Sequence, residues 1–328
     1  MTTPAPAGPV TGPAGAGPWD RPGPVALGTF EFGAAIPEQR ALQLLDAHHE
    51  LGGRIIDTAP TYGPAPDGYR AETIVARWAA ATGVPAAVVT KAGLDPARPE
   101  HAALDPATLM RSARQSADRL GSPLAGFLLH RDDPTVPVGE IAGTAHRLIT
   151  EGTTLRVGAS NWTTKRLHEW IDYAHDHNLR APELTSPLWS LAARRTDPGP
   201  EPWLVDADPT HLALAAAHQL TVLPYRTLAA GYLSPRHSGR HHTHHTAAYD
   251  TPANRVRRER LHGTAARHGL APEGIALAYL RAAGAPARVV PVTGPTTVRQ
   301  LRATMTGAAA AEQLLTPETL ADLSGTDR

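Results

Sequence analysis

From Val25 onward the chain alternates between short apolar runs and longer stretches whose apolar residues recur every three or four positions. The runs span residues 25–30, 54–59, 86–91, 126–130, 155–160, 183–187, 221–225 and 288–292. They are apolar on consecutive positions and rich in Leu or β-branched residues, as strands buried on both faces are. Between them, Leu109, Ala113, Ala117 and Leu120 share one helical face, and so do Leu167, Trp170, Ile171 and Ala174. Asp105-Pro106 and Asp208-Pro209 each set a capping carboxylate before a proline at the first helical position. Strands alternating with helices predict a parallel sheet. Eight such units predict an α/β protein closed into a (β/α)8 TIM barrel, as a single domain. An open doubly wound sheet would need a glycine phosphate fingerprint, but no GxGxxG follows any strand. Neither lysine precedes Ser or Thr as a Walker loop requires.

Two segments depart from the rhythm. Residues 1–22 are Pro/Gly/Ala-rich without periodicity and are expected to form a disordered tail ahead of the barrel at 23–328. Between the seventh and eighth strands, residues 234–251 carry His237, His241, His242, His244 and His245. Imidazoles ligate metals, but no carboxylate is spaced to complete a site. A mobile surface loop without metal is the expectation.

Composition narrows the function classes. The 328 residues are 41% apolar and 5% aromatic, with 31 basic and 31 acidic side chains. Zero formal charge argues against a nucleic acid or anionic membrane held by bulk electrostatics. The absence of cysteine excludes disulfides, thiolate catalysis and Cys-ligated metals. No apolar stretch reaches membrane-spanning length and no secretory signal opens the chain, so a soluble cytoplasmic protein is expected. Among the basic residues only Lys91 and Lys165 are lysines, in a background that favours arginine. Lysine can be tuned by its surroundings where arginine cannot. Lys165 falls on a helix surface, so the question attaches to Lys91.

In such a barrel the chemistry sits at the C-terminal ends of the strands. Strand two ends in Asp57, strand three in Lys91 and strand four in His130, and Tyr62 lies in the loop after strand two. Each alone is as well explained by capping, solvated charge, turn packing or a structural imidazole. Together they form a set able to move a proton. A phenol with an ordinary pKa of about 10 is a reluctant donor near neutrality, and a neighbouring ammonium favours its anion. Asp57 would hold Lys91 charged, and His130 would reach the same substrate oxygen. Such a pocket protonates an oxygen that gains negative charge, as in reduction of a carbonyl by hydride.

The run Asp57-Thr58-Ala59-Pro60-Thr61-Tyr62-Gly63, with Glu72 in the helix beyond, resembles the signature of the aldo-keto reductase family. The resemblance continues through Val88-Val89-Thr90-Lys91, Leu128-Leu129-His130-Arg131-Asp132-Asp133, Arg156-Val157-Gly158-Ala159-Ser160-Asn161-Trp162, and Pro224-Tyr225 with Leu228 and Gly231. It suggests a bacterial member and covers the chain from Val25 to about Ala308. It implies a monomeric-type barrel that binds NADP(H) along the strand ends, with NAD as the alternative. By the same resemblance Tyr62 is the general acid, Lys91 and Asp57 tune it, and His130 orients the carbonyl. Ser160 and Asn161 would bond the nicotinamide carboxamide, Tyr225 would stack on its ring, and Gly28, Thr29 and Asp57 would neighbour its ribose. Gly294, Thr296, Gln300 and Thr304 would hold the adenosine end.

Several positions depart from the family pattern. Ser186 stands where many members carry Gln, and Arg226 replaces a small polar residue after the stacking tyrosine, as a pyrophosphate ligand or a rim charge. Thr296 and Thr304 stand in place of a basic residue and an Asn. The substrate, a small carbonyl compound, would be walled by Phe30, Arg131, Trp162 and Trp189, with Tyr232 nearby; barrel packing is the alternative for the two tryptophans. Arg131 would select an anion or pair with Asp132 or Asp133. Three functions follow: reduction of an aldehyde, ketone or keto-sugar; a tailoring reduction in natural-product or deoxysugar biosynthesis; and a non-catalytic NADP(H)-binding regulatory subunit.

Overall fold

The computed structural model describes residues 17–63, 70–95, 98–195, 201–235 and 246–325. The expected tail at 1–16 and the five histidines of the 234–251 segment lie outside them. In chain order the elements are β1 (Ala26–Gly28), α1 (Glu38–Glu50), β2 (Ile55–Asp57), α2 (Arg70–Thr82) and β3 (Ala87–Ala92). Next come a hairpin of β4 (Leu94–Asp95) and β5 (Arg98–Ala102), then α3 (Pro106–Leu120), β6 (Gly126–Leu129), α4 (Val138–Thr150), β7 (Val157–Ser160) and α5 (Thr164–Asp176). The chain continues through β8 (Leu184–Ser186), α6 (Pro209–Ala217), β9 (Thr221–Val222), α7 (Pro252–His268) and α8 (Pro272–Ala283). It ends with β10 (Arg288–Val289), β11 (Val292–Thr293), α9 (Val298–Ala311) and α10 (Pro317–Ser324). The antiparallel β4–β5 hairpin is an addition that the periodicity did not announce.

The main sheet runs β10-β9-β8-β7-β6-β3-β2-β1-β11 with every pairing parallel. Its two ends are the halves of the eighth strand, interrupted at Val290-Pro291. β10 pairs with β9 while β11 pairs with β1. The interruption itself is bonded on both sides, since Val290 N donates to Val222 O at 2.8 Å and Ala26 N to Pro291 O at 2.9 Å. The sheet therefore closes, and the expected (β/α)8 barrel is present.

Helix ends follow the sequence signals. Asp105 caps α3 by accepting from Thr108 N, Asp208 caps α6 by accepting from His211 N, and α3 stops at Gly121 in the left-handed conformation. Leu167, Trp170, Ile171 and Ala174 form the buried face of α5.

Strand pleating sorts the core into two layers. Ala26, Ile55, Val89, Leu128, Leu184, Leu223 and Val290 belong to the inner cluster. Their neighbours Leu27, Ile56, Val88, Phe127, Val222 and Val289 face outward into the helix layer. Gly158 is required here, because a Cβ on it would come within 1.9 Å of Leu184 O. Trp19 corrects the expectation of disorder through residue 22. It is 4% exposed, belongs to the inner cluster and donates from Nε1 to Ala125 O at 3.0 Å. Arg156 lies over its ring and Arg288 donates to its carbonyl. Trp19 thus fills the floor of the barrel.

Candidate active site

The same pleat that fills the barrel builds its mouth. Two residues beyond each inner-layer side chain stand Gly28, Asp57, Lys91, His130, Ser186 and Tyr225, after Ala26, Ile55, Val89, Leu128, Leu184 and Leu223. Register brings Gly28 beside Asp57 and Ser160 beside Ser186. Polar side chains so far along these strands are shielded by the core beneath them, which is what makes their charges strong.

Lys91, 3% exposed, donates to Asp57 Oδ1 at 2.8 Å, Asp57 Oδ2 at 2.7 Å and Thr58 O at 3.0 Å. All three ammonium protons thus have acceptors. Burial disfavours the ammonium, but the carboxylate of Asp57, aided by Tyr62, outweighs it and holds Lys91 above its ordinary pKa. Burial also pushes the Asp57 carboxyl up while Lys91 pulls against it. The short two-pronged contact identifies the pair as ammonium and carboxylate.

The Lys91 Nζ lies 4.8 Å from the centre of the Tyr62 ring. Phe30, Tyr62 and His130 form an edge-to-face row, with ring centres 5.1 and 6.0 Å apart. Burial raises the Tyr62 pKa above its ordinary value, with Lys91 opposing and Asp57 reinforcing. Lys91 thus acts in the expected direction, favouring the anion, but burial outweighs it and the resting phenol is protonated. Burial, Lys91 and Arg131 together hold His130 well below the ordinary histidine range, so its imidazole is neutral near pH 7. It can donate or accept a hydrogen bond there without carrying charge.

A second group spans the far side of the mouth. Ser160 Oγ donates to Ser186 O at 2.9 Å and Ser186 Oγ to Leu223 O at 2.8 Å. Asn161, left-handed at φ 58, donates from Nδ2 to His130 O and Ser160 Oγ. The Tyr225 hydroxyl donates to Asn161 Oδ1 at 2.5 Å. Thr29 ties strand one to strand two through Asp57 O, from both its N–H and its hydroxyl. A Cβ on Gly28 would lie 3.0 Å from Val292 Cγ1, so sheet packing alone explains that glycine. Gly294 is exposed, and a Cβ on it would meet nothing nearer than Gly28 O at 3.9 Å.

At the start of α9, Thr297 caps the helix by accepting from Gln300 N, and Gln300 Oε1 accepts from Thr296 N at 3.0 Å. Gln300 is thereby engaged in a variant of the capping box. Thr304 is buried, and Arg302 pairs with Glu50 at 2.7 Å. Arg226, which follows Tyr225, is held by both oxygens of Glu201.

The expected substrate wall is redistributed. Phe30 is at the mouth and 61% exposed. Trp162 is not a wall residue: 1% exposed, it packs on Trp170 of α5 with Arg166 over its ring, in the layer between barrel and helices. Trp189 turns its ring edge toward Gly284 after α8, and Tyr232 is buried in a second cluster with α7 and α8. Asp132 pairs with Arg166, and Asp133 closes a turn on Thr135. The Arg131 guanidinium instead lies 3.8 Å from the ring centre of Trp203. Trp203 is a rim residue the sequence did not reveal, since it sits in an aperiodic segment 72 positions beyond its partner. Among the described residues no group of three or more His, Asp or Glu side chains could hold a metal ion. No helix among them is long and apolar enough to cross a membrane.

Comparison with known proteins agrees with this arrangement. Over 306 residues the chain is 26% identical to norsolorinic acid reductase of Emericella nidulans, covering 87% of this chain and 74% of that protein. Residues 24–327 match the Aldo/keto reductase family, and the chain belongs to that family.

Proposed function

We propose that the protein is an NADP(H)-dependent carbonyl reductase in which Tyr62 is the proton donor. The observation that carries this reading is the buried Lys91–Asp57 pair with its ammonium against the Tyr62 ring. Beside it, Tyr225, Asn161, Ser160 and Ser186 are linked in one chain of hydrogen bonds across the strand ends, and Gly294 is exposed. That set fits a planar ring bearing a carboxamide. When bound there, the reduced cofactor supplies a hydride to the carbonyl carbon.

The chain's own residues handle the proton. Neutral His130 orients the carbonyl oxygen by a hydrogen bond. Tyr62 transfers its phenolic proton to that oxygen as negative charge grows on it. The phenolate left behind is stabilised by Lys91, whose charge Asp57 secures in a site that water screens poorly. A proton from solvent restores the phenol.

The family and the relative are reductases, and both favour turnover over a regulatory role. The relative's activity on norsolorinic acid, with Phe30 exposed and Trp203 half-buried at the rim, favours a tailoring reduction of a bulky apolar carbonyl. A small-molecule carbonyl panel assayed by loss of NADPH absorbance tests the reading. Reduction with NADPH preferred over NADH supports it, and tight cofactor binding without turnover of any carbonyl contradicts it.

A further inference from the structure

Arg226 is the one cation of the mouth whose place in the sequence adjoins Tyr225 and whose fork is already filled. Both its terminal nitrogens donate to Glu201, at 2.8 and 2.7 Å, and each side chain is 23% exposed. The residue is left-handed at φ 50, and Ala229 and Ala230 are left-handed at φ 53. Non-glycine residues rarely adopt that region, and clusters of them mark ligand clamps. Tyr249 is 0% exposed, and its hydroxyl has no hydrogen-bond partner among the described residues.

Glu201 belongs to a strap across the mouth. Leu188 holds the strap by donating to Val205 O and accepting from Ala207 N, both at 2.8 Å. Two positions after Glu201, Trp203 covers Arg131 beside His130. The strap thus touches the end of β6 with one residue and the residue after Tyr225 with another.

A guanidinium fork accepts a carboxylate and a phosphate in the same geometry. The two anions repel one another when brought to one cation, more strongly where water is excluded. We propose that Glu201 is a resident counter-ion that the pyrophosphate of a nucleotide cofactor displaces from Arg226. Glu201 thereby sets the affinity of this chain for dinucleotides. The inference rests on the dinucleotide reading above.

The test is binding without turnover. NADPH is titrated by nicotinamide fluorescence, with ADP as a probe that carries a pyrophosphate and no nicotinamide. The proteins are wild type, Glu201→Gln, Arg226→Ala and the double variant, each checked by thermal melting. Removing the carboxylate is expected to tighten both ligands about fivefold, and removing Arg226 to weaken both about tenfold. In the Arg226→Ala background, Glu201→Gln should bring no gain. A folded Glu201→Gln protein that binds NADPH no more tightly than a binding-competent wild type overturns this inference alone. A wild type that binds neither NADPH nor NADH overturns the dinucleotide reading with it.

Discussion

Lys91 and Asp57 meet through two hydrogen bonds of 2.8 and 2.7 Å, from strands that are neighbours in the barrel. The contact explains why lysine survives here in a chain whose other basic residues, Lys165 apart, are all arginine. A compact ammonium satisfies three acceptors in a cavity that leaves it 3% exposed, and a planar guanidinium has neither the size nor the geometry to do so. Lys91→Arg is expected to lower kcat/KM by about 100- to 1,000-fold despite keeping the charge. In Asp57→Asn the burial that disfavours the ammonium loses its main opponent, so Lys91 falls below its wild-type pKa. Activity in that variant should decline with rising pH earlier than in wild type, as a pH–rate profile would show.

The barrel floor offers a test of the fold that leaves the mouth untouched. Trp19 fills the end of the inner cluster and bonds Ala125 O. Trp19→Ala should cost about 3–5 kcal/mol of stability in denaturant unfolding. A change within about 0.5 kcal/mol, the range of an ordinary surface substitution, would mean that Trp19 does not fill the floor of the barrel.

His48 on α1 predicts a pH dependence of stability. Burial lowers its pKa to about 4, with its bond to Val25 O only partly opposing. The unfolded chain has the ordinary value of about 6.5, so it takes up this proton first as pH falls. The contribution is fully present above about pH 6.5 and is lost as pH drops toward 4, by on the order of 3 kcal/mol. Melting temperature should fall through that window, and His48→Gln should flatten the fall.

How far the chain could be read in advance depended on the range of the signal. Helix faces such as Leu167–Trp170–Ile171–Ala174 and the caps Asp105 and Asp208 are local, and the structure has them as expected. Asp57, Lys91 and His130 were legible because strand ends converge in a closed barrel. Trp19 was not, since a lone aromatic among Pro, Gly and Ala carries no period. The Arg226–Glu201 and Arg131–Trp203 contacts join aperiodic segments, where spacing says nothing about proximity. Of the two readings open for Trp162 the structure has barrel packing, since adjacency to Asn161 in sequence does not fix which face of the barrel wall a side chain takes. The direction of the Tyr62 shift depended on burial, which composition does not report.

The role of the phenol is tested most directly by Tyr62→Phe, measured for carbonyl reduction and for NADPH binding on the same preparation. The account expects turnover to fall at least about 100-fold, with the dissociation constant of NADPH within about twofold of wild type. Reduction of the same carbonyl by this variant at the wild-type rate would contradict it.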